Sequence, residues 1–148
     1  MITGQLQIEI EAKPEIVFDL LADFTKHPAW NPKITEVSLI PEEAIKKGAT
    51  GRMTFKSRRR RMEYQFICHE CDRPKAFYIE VTRSDEISRM SYEFIPTEKG
   101  TRINYRLEYQ SIGFLRLLEP LFKPFRWLII GQERKEFETL RDYINKNK

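Results

Sequence analysis

The stretch YEFIPTEKGTRINYRLEY, residues 92–109, decides the fold. Tyr92 and Phe94 flank Glu93. Beyond the turn, Ile103, Tyr105, Leu107 and Tyr109 alternate with Asn104, Arg106 and Glu108. A period of two places one set on each face of a strand, so each run is a strand with one apolar, ring-rich face. Between them EKGT supplies a tight turn, and two strands joined so briefly form an antiparallel hairpin.

Outward from this hairpin the pattern repeats. Strands are predicted at 34–39, 50–57, 61–71, 76–83, 87–96 and 101–110, separated by KKGATG, SRRR, DRPK, SDE and EKGT. Near the start, QLQIEI sets Leu6, Ile8 and Ile10 against Gln5, Gln7 and Glu9, which adds a half-buried strand. AKPEIVFDLLAD then reads as a short helix, with Pro14 in the first turn, where its missing N–H is not needed, and Glu15 at the positive end. KHPAWNP cannot extend it, because Pro28 and Pro32 push their preceding residues out of helical geometry. A bend or a single helical turn is expected there.

Toward the C-terminus, Phe114, Leu117, Leu118, Leu121, Phe122, Phe125, Leu128 and Ile129 recur at spacings of three and four, with Arg116, Glu119, Lys123 and Arg126 on the other side. Pro120 and Pro124 interrupt the early part. A regular helix is predicted from near Pro124 to about Asn145, roughly 30 Å at 1.5 Å per residue. The order is one strand, short helices, six antiparallel strands and one long helix. This is an α+β domain in which an amphipathic helix covers the apolar face of a sheet.

The 148 residues fit one domain, 1–148. A net charge of +4, from 26 Lys+Arg against 22 Asp+Glu, is too small an excess to indicate nucleic acid. MITGQLQIEIEA has neither a basic start nor an apolar block, so no signal peptide and a cytoplasmic location are expected. Residues 114–130 are apolar but carry four charges, which argues against a membrane span.

Three pieces in order, AKPEIVFDLLADFTKHPAWNP, DRPKAFYIEV and YEFIPTEKGTRINYRLEY, resemble the START-like, or helix-grip, superfamily (SRPBCC), including its polyketide cyclase/dehydratase group. The resemblance covers nearly the whole chain. It implies a curved seven-stranded antiparallel sheet gripping the long C-terminal helix, short helices between the first two strands, and a ligand cavity between sheet and helix. It also implies binding or transport of a small hydrophobic or amphipathic ligand without a cofactor. One departure is the loop PEEAIKKGATG, which has fewer glycines than many relatives, so no phosphate-cradling role is expected there.

On this reading the inward rings line the ligand: Phe55, Tyr64 and Phe66, then Tyr92, Phe94 and Tyr105, with the tyrosines as orienting hydrogen-bond groups. Leu118, Phe122 and Phe125 are expected to close the cavity from the helical side. Trp30 either plugs one end of the core with Phe24 or lines the cavity entrance. Arg59 and Arg60, in the run RRRR at 58–61, are expected at the cavity mouth, favouring a ligand with an anionic group and brief contact with a membrane surface. Two alternatives stay open: a cyclase/dehydratase-type enzyme, and a protein-interaction module without ligand. The strand carboxylates, Glu36 excepted, are expected to face outward, which weighs against catalysis.

Two motifs are read as structural. In CHEC, residues 68–71, the cysteines are three apart on a strand, so they are expected on opposite faces, about 10 Å apart, with no disulfide and no metal. In LLADFTKHPAWNPKITEV, residues 20–37, Asp23, His27 and Trp30 gather, but His27 is expected to be exposed and Asp23 to end the first helix, so no catalytic pair is expected.

Overall fold

The computed structural model describes residues 1–32, 34–40, 46–57 and 59–148. Arg58 of the arginine run, Lys33 and residues 41–45 of the loop PEEAIKKGATG lie outside them, and with those five the reading of that loop. Seven strands, β1 (Ile2–Ile10), β2 (Glu36–Ile40), β3 (Thr50–Ser57), β4 (Arg60–Asp72), β5 (Ala76–Arg83), β6 (Glu86–Pro96) and β7 (Thr101–Ser111), form one antiparallel sheet in the order β1-β7-β6-β5-β4-β3-β2. The predicted hairpin is β6–β7, with Tyr92 opposite Tyr105 and Phe94 opposite Ile103.

Between β1 and β2 stand α1 (Pro14–Ala22), a 3₁₀ turn (Phe24–Lys26) and α2 (His27–Trp30). Pro14 opens α1 behind an extended Lys13, and Asp23 ends it while accepting a hydrogen bond from the Thr25 N–H at 3.1 Å. After β7 come α3 (Phe114–Phe122), a 3₁₀ turn (Lys123–Phe125) and α4 (Arg126–Lys146). Pro120 is accommodated inside α3, and the break falls at Pro124, two residues before α4. The sheet wraps α4: this is the helix-grip fold.

The core lies between the sheet's inner face and the helices. Phe18 of α1 meets the rings of Phe77 and Phe94 edge-on at 5.5 and 5.3 Å, and Phe137, Leu140 and Ile144 bring α4 onto the sheet. α4 crosses β1 at Gly4, where any side chain would displace that of Ile130. A Cβ there would fall 2.0 Å from Ile130 Cδ1, far inside van der Waals contact.

In the framework of the fold, two features differ from the sequence expectation. First, the pairing slips at His69: Cys68 faces Ile79, but Glu70 already faces Tyr78 and Cys71 faces Phe77. The extra residue of this β-bulge inverts the alternation, so Cys68 and Cys71 share the inner face rather than opposite faces. Second, the apolar side of α3 does not cover the sheet. The buried residue of α3 is Glu119, whose carboxylate lies 2.6 Å from the Met1 amino group, while Phe114, Leu117, Leu121 and Phe122 are exposed.

Candidate site on the inner face of the sheet

The inner face is built from side chains two apart on neighbouring strands. At its centre Phe77 stacks on Tyr92 at 4.2 Å, and Tyr92 lies 5.0 Å from Tyr105. Phe137 of α4 meets the Tyr105 and Tyr92 rings at 5.1 and 6.2 Å. One turn earlier on that helix, at i−4, Glu133 reaches the same rings. Burial, and then the neighbouring Glu136, push its carboxyl up to about 7, while Tyr105 acts in the opposite direction. Burial raises Tyr92 and Tyr105 well above the usual phenol range. The Tyr105 hydroxyl is buried and completes no hydrogen bond of ordinary geometry among the described residues, although it lies close enough to Glu133 for each to perturb the other. A buried, unsatisfied hydroxyl costs about 1–3 kcal/mol, so it is a group that gains from a polar ligand atom.

A second polar cluster sits at the end of the inner face where β5, β6 and β7 meet their turns. The Tyr109 hydroxyl donates to Glu86 Oε2 at 2.9 Å, and Arg83 Nη2 lies 3.8 Å from the same oxygen. Arg83 also pairs with Asp85 at 2.8 Å and lies 5.9 Å from the centre of the Tyr64 ring. Tyr64 in turn packs edge-on against Phe55 at 5.4 Å. Burial, then Glu86, pushes Tyr109 up to about 12. Glu86 corrects the expectation that strand carboxylates face outward: β6 begins one residue before the predicted boundary, and Glu86 shares the parity of Met90 and Tyr92. Glu36, the exception allowed for, is instead half-exposed and pairs with Lys56 at 3.0 Å.

This end opens outward. A groove of about 530 Å³ is lined there by Arg60, Arg61, Met62, Arg83 and Asp85 among others, whereas a groove of about 630 Å³ beside it, lined by Arg52, Thr54, Glu63, Gln65 and Thr82, lies on the outer face of the sheet. Arg59 and Arg60 stand exposed at the β3–β4 tip, on the same end of the sheet.

Within the segment 20–37, Phe24, His27 and Trp30 form a plug. Trp30 is buried and donates through Nε1 to the Leu20 carbonyl at 3.3 Å. The His27 ring is held between Phe24 and Trp30, 4.9 Å from each, and its Nε2 is 3.0 Å from the Leu21 carbonyl oxygen. The sequence placed His27 in solvent, but two aromatic neighbours cover it, and burial holds its pKa below the usual imidazole value. Phe24 reaches Phe66 at 6.4 Å, joining the plug to the sheet.

Of the side chains expected to line a ligand, Tyr92, Phe94 and Tyr105 come together with Phe77 and Phe137, and Phe55 and Tyr64 form a second pair. Phe66 is buried between these groups, Leu118 is half-buried, and Phe122 and Phe125 are exposed on the outer side of the helical segment. Glu133, Arg83 and Glu86 were not anticipated. The spacing 133, 137, 140, 144 along the last helix is the signal for the first of them.

Residues 1–142 match the family model described as polyketide cyclase / dehydrase and lipid transport. No curated protein matches the chain. Among solved structures it is similar to a protein of unknown function, SA2116, from Staphylococcus aureus, with a TM-score of 0.76 and 12% identity over 99% of this chain and 94% of that one. It is also similar to Ara h 8.0201, with a TM-score of 0.74 and 12% identity over 97% of each chain. A START superfamily protein from Mycobacterium smegmatis matches with a TM-score of 0.72 and 12% identity over 96% of this chain and 98% of that one. At these identities the likeness is one of fold.

Proposed function

The chain belongs to the polyketide cyclase / dehydrase and lipid transport family of START-like proteins, and we propose that it binds one small hydrophobic or amphipathic molecule between the sheet's inner face and α4. The observation that carries this reading is the buried Tyr105 hydroxyl, which lacks a well-formed partner and stands beside the Glu133 carboxyl on an otherwise aromatic wall. Rings provide apolar burial, and a few polar groups fix orientation. At neutral pH a large fraction of Glu133 keeps its proton, so the pair suits a neutral oxygen of the ligand rather than an anion. An anionic group fits the other end through the exposed tip residues Arg59 and Arg60, since Arg83 is already paired with Asp85 and Glu86. The ligand would therefore lie with its charged end toward the β3–β4 tip and its apolar body along Tyr64, Phe66 and Tyr92.

One observation favours a second reading, catalysis of the cyclase/dehydratase kind. A carboxyl held near neutrality beside a phenol can exchange protons with a bound substrate.

Titration of ¹⁵N-labelled protein with decanoic acid and with decanol tests the binding reading. Amide shifts are expected along β4, β6 and β7 at residues 64–66, 92 and 105 and on α4 near 133, with the acid but not the alcohol also moving residues 59–61. Shifts confined to 114–128, with the inner-face amides unmoved by both probes, would remove the proposal.

A further inference from the structure

The segment that leads into α4 presents its apolar residues to solvent. Leu117 is 75% exposed, Phe114 73%, Leu121 66% and Trp127 64%, with Phe125 and Leu128 continuing the stripe. A contiguous apolar surface of this kind, left uncovered by its own fold, marks a docking surface. The charges decide what docks. Residues 113–130 carry Arg116, Lys123 and Arg126 on exposed positions, and their one acidic residue, Glu119, is buried against the Met1 amino group. The exposed charge of the segment is therefore positive throughout. Ile112, at the start of this segment, donates its N–H to the Asp85 carbonyl at 2.9 Å, which ties it to the β5–β6 turn. That turn borders the groove lined by Arg60 and Arg61, so the arginine tip lies at the same end of the sheet.

We propose that α3 and the first turn of α4 form a docking surface for anionic lipid bilayers, with the apolar stripe in the headgroup boundary and Arg116, Lys123 and Arg126 on the lipid phosphates and carboxylates. Phe, Leu and Trp on one face and Lys/Arg beside them are the features that hold a helix in a membrane interface. A second copy of the chain is a poorer occupant, because an isologous contact would bring the same three cations against themselves. No helix among the described residues is long and apolar enough to cross a membrane, so the contact is one of lying on the surface. It does not depend on the inner-face site.

Flotation of the full chain with large unilamellar vesicles tests this, comparing phosphatidylcholine alone with a 70:30 mixture of phosphatidylcholine and phosphatidylserine at about 0.1 M salt. Each cation near such a surface contributes about fivefold, so three give about a hundredfold preference for the anionic vesicles. The preference shrinks at high salt. Leu117→Ser with Leu121→Ser and Trp127→Ser weakens binding to both vesicles at least tenfold with unchanged circular dichroism, since all three are exposed. Arg116→Ser with Lys123→Ser and Arg126→Ser abolishes the preference alone. The proposal is overturned if the wild type fails to float with anionic vesicles, or if the apolar triple variant floats as the wild type does. It is also overturned if sedimentation shows a dimer that the apolar variant dissociates.

Discussion

Replacing Glu133 by Gln should change how stability depends on pH. In the folded protein the carboxyl is raised from an ordinary 4.5 to about 7, chiefly by burial and then by Glu136. The facing groups on the sheet are Tyr92 and Tyr105, which carry no charge at neutral pH. Between pH 4.5 and 7 the folded state therefore binds more protons here than the unfolded state, and stability falls as pH rises. The contribution is intact below 4.5 and lost on passing 7. A rise from 4.5 to about 7 corresponds to about 3 kcal/mol at most, because the side chain is only half-buried and partly screened by water. Gln has a similar shape and no charge to desolvate, so Glu133→Gln should remove this slope and stabilise the protein at pH 8. At 2–4 °C per kcal/mol for a chain of this size, Tm should rise by up to about 10 °C. Thermal unfolding by circular dichroism at pH 5, 6, 7 and 8, wild type against variant, reads both effects. A variant that melts no higher than wild type at pH 8, and keeps the wild-type slope, would refute the placement of Glu133 against the sheet.

Three further outcomes follow from the same geometry. Tyr105→Phe should leave stability unchanged or raise it by about 1 kcal/mol, because it deletes a buried hydroxyl without a well-formed partner, and it should move the Glu133 titration to still higher pH; a loss above about 2 kcal/mol in chemical denaturation would mean the hydroxyl is already satisfied. Gly100→Ala should cost roughly 1–3 kcal/mol, since the added Cβ would stand 2.2 Å from the Ile10 carbonyl oxygen and backbone cannot rotate away as a side chain can; a wild-type denaturation midpoint would contradict the close approach of the β6–β7 turn to the end of β1. Cys68, pushed up to about 11 by burial, then by Cys71, should react with a disulfide reagent at pH 7.5 about a hundredfold more slowly than a free thiol, and should speed up on unfolding; rapid reaction of both thiols in the folded protein would place them outside the core.

The strands were legible because one face is buried, and burial writes a period of two into the sequence. That Tyr92, Phe94, Ile103 and Tyr105 share the inner face follows from the alternation, while the pairing of Tyr92 with Tyr105 and Phe94 with Ile103 is set by the turn between the strands. Where the alternation is interrupted, sequence reading reverses faces: the bulge at His69 carried Cys71 to the inner side, and one residue at the start of β6 decided whether Glu86 was seen at all. The C-terminal helix misled in a different way. Its apolar spacing was plain, but spacing specifies a stripe and not the surface that covers it, so Phe122 and Phe125 were assigned inward. The family match and the seven-stranded sheet around α4 agree with the resemblance drawn from the three motif pieces. Glu133 was hidden because a charged residue on a helix defaults to the solvent side unless the wheel is followed as far as Phe137 and Leu140.

In the proposed binding mode the inner face receives one apolar molecule with a polar end at Tyr105 and Glu133. Native mass spectrometry of the chain purified from its own host, without detergent or organic solvent, tests it most directly. A fraction is expected to carry a single small molecule at one-to-one stoichiometry, released on denaturation, apolar in chromatography, and reduced in the Glu133→Ala and Tyr105→Ala proteins. A mass equal to the polypeptide alone in the wild type, together with amides on β6, β7 and α4 that no lipophilic probe perturbs, would contradict it.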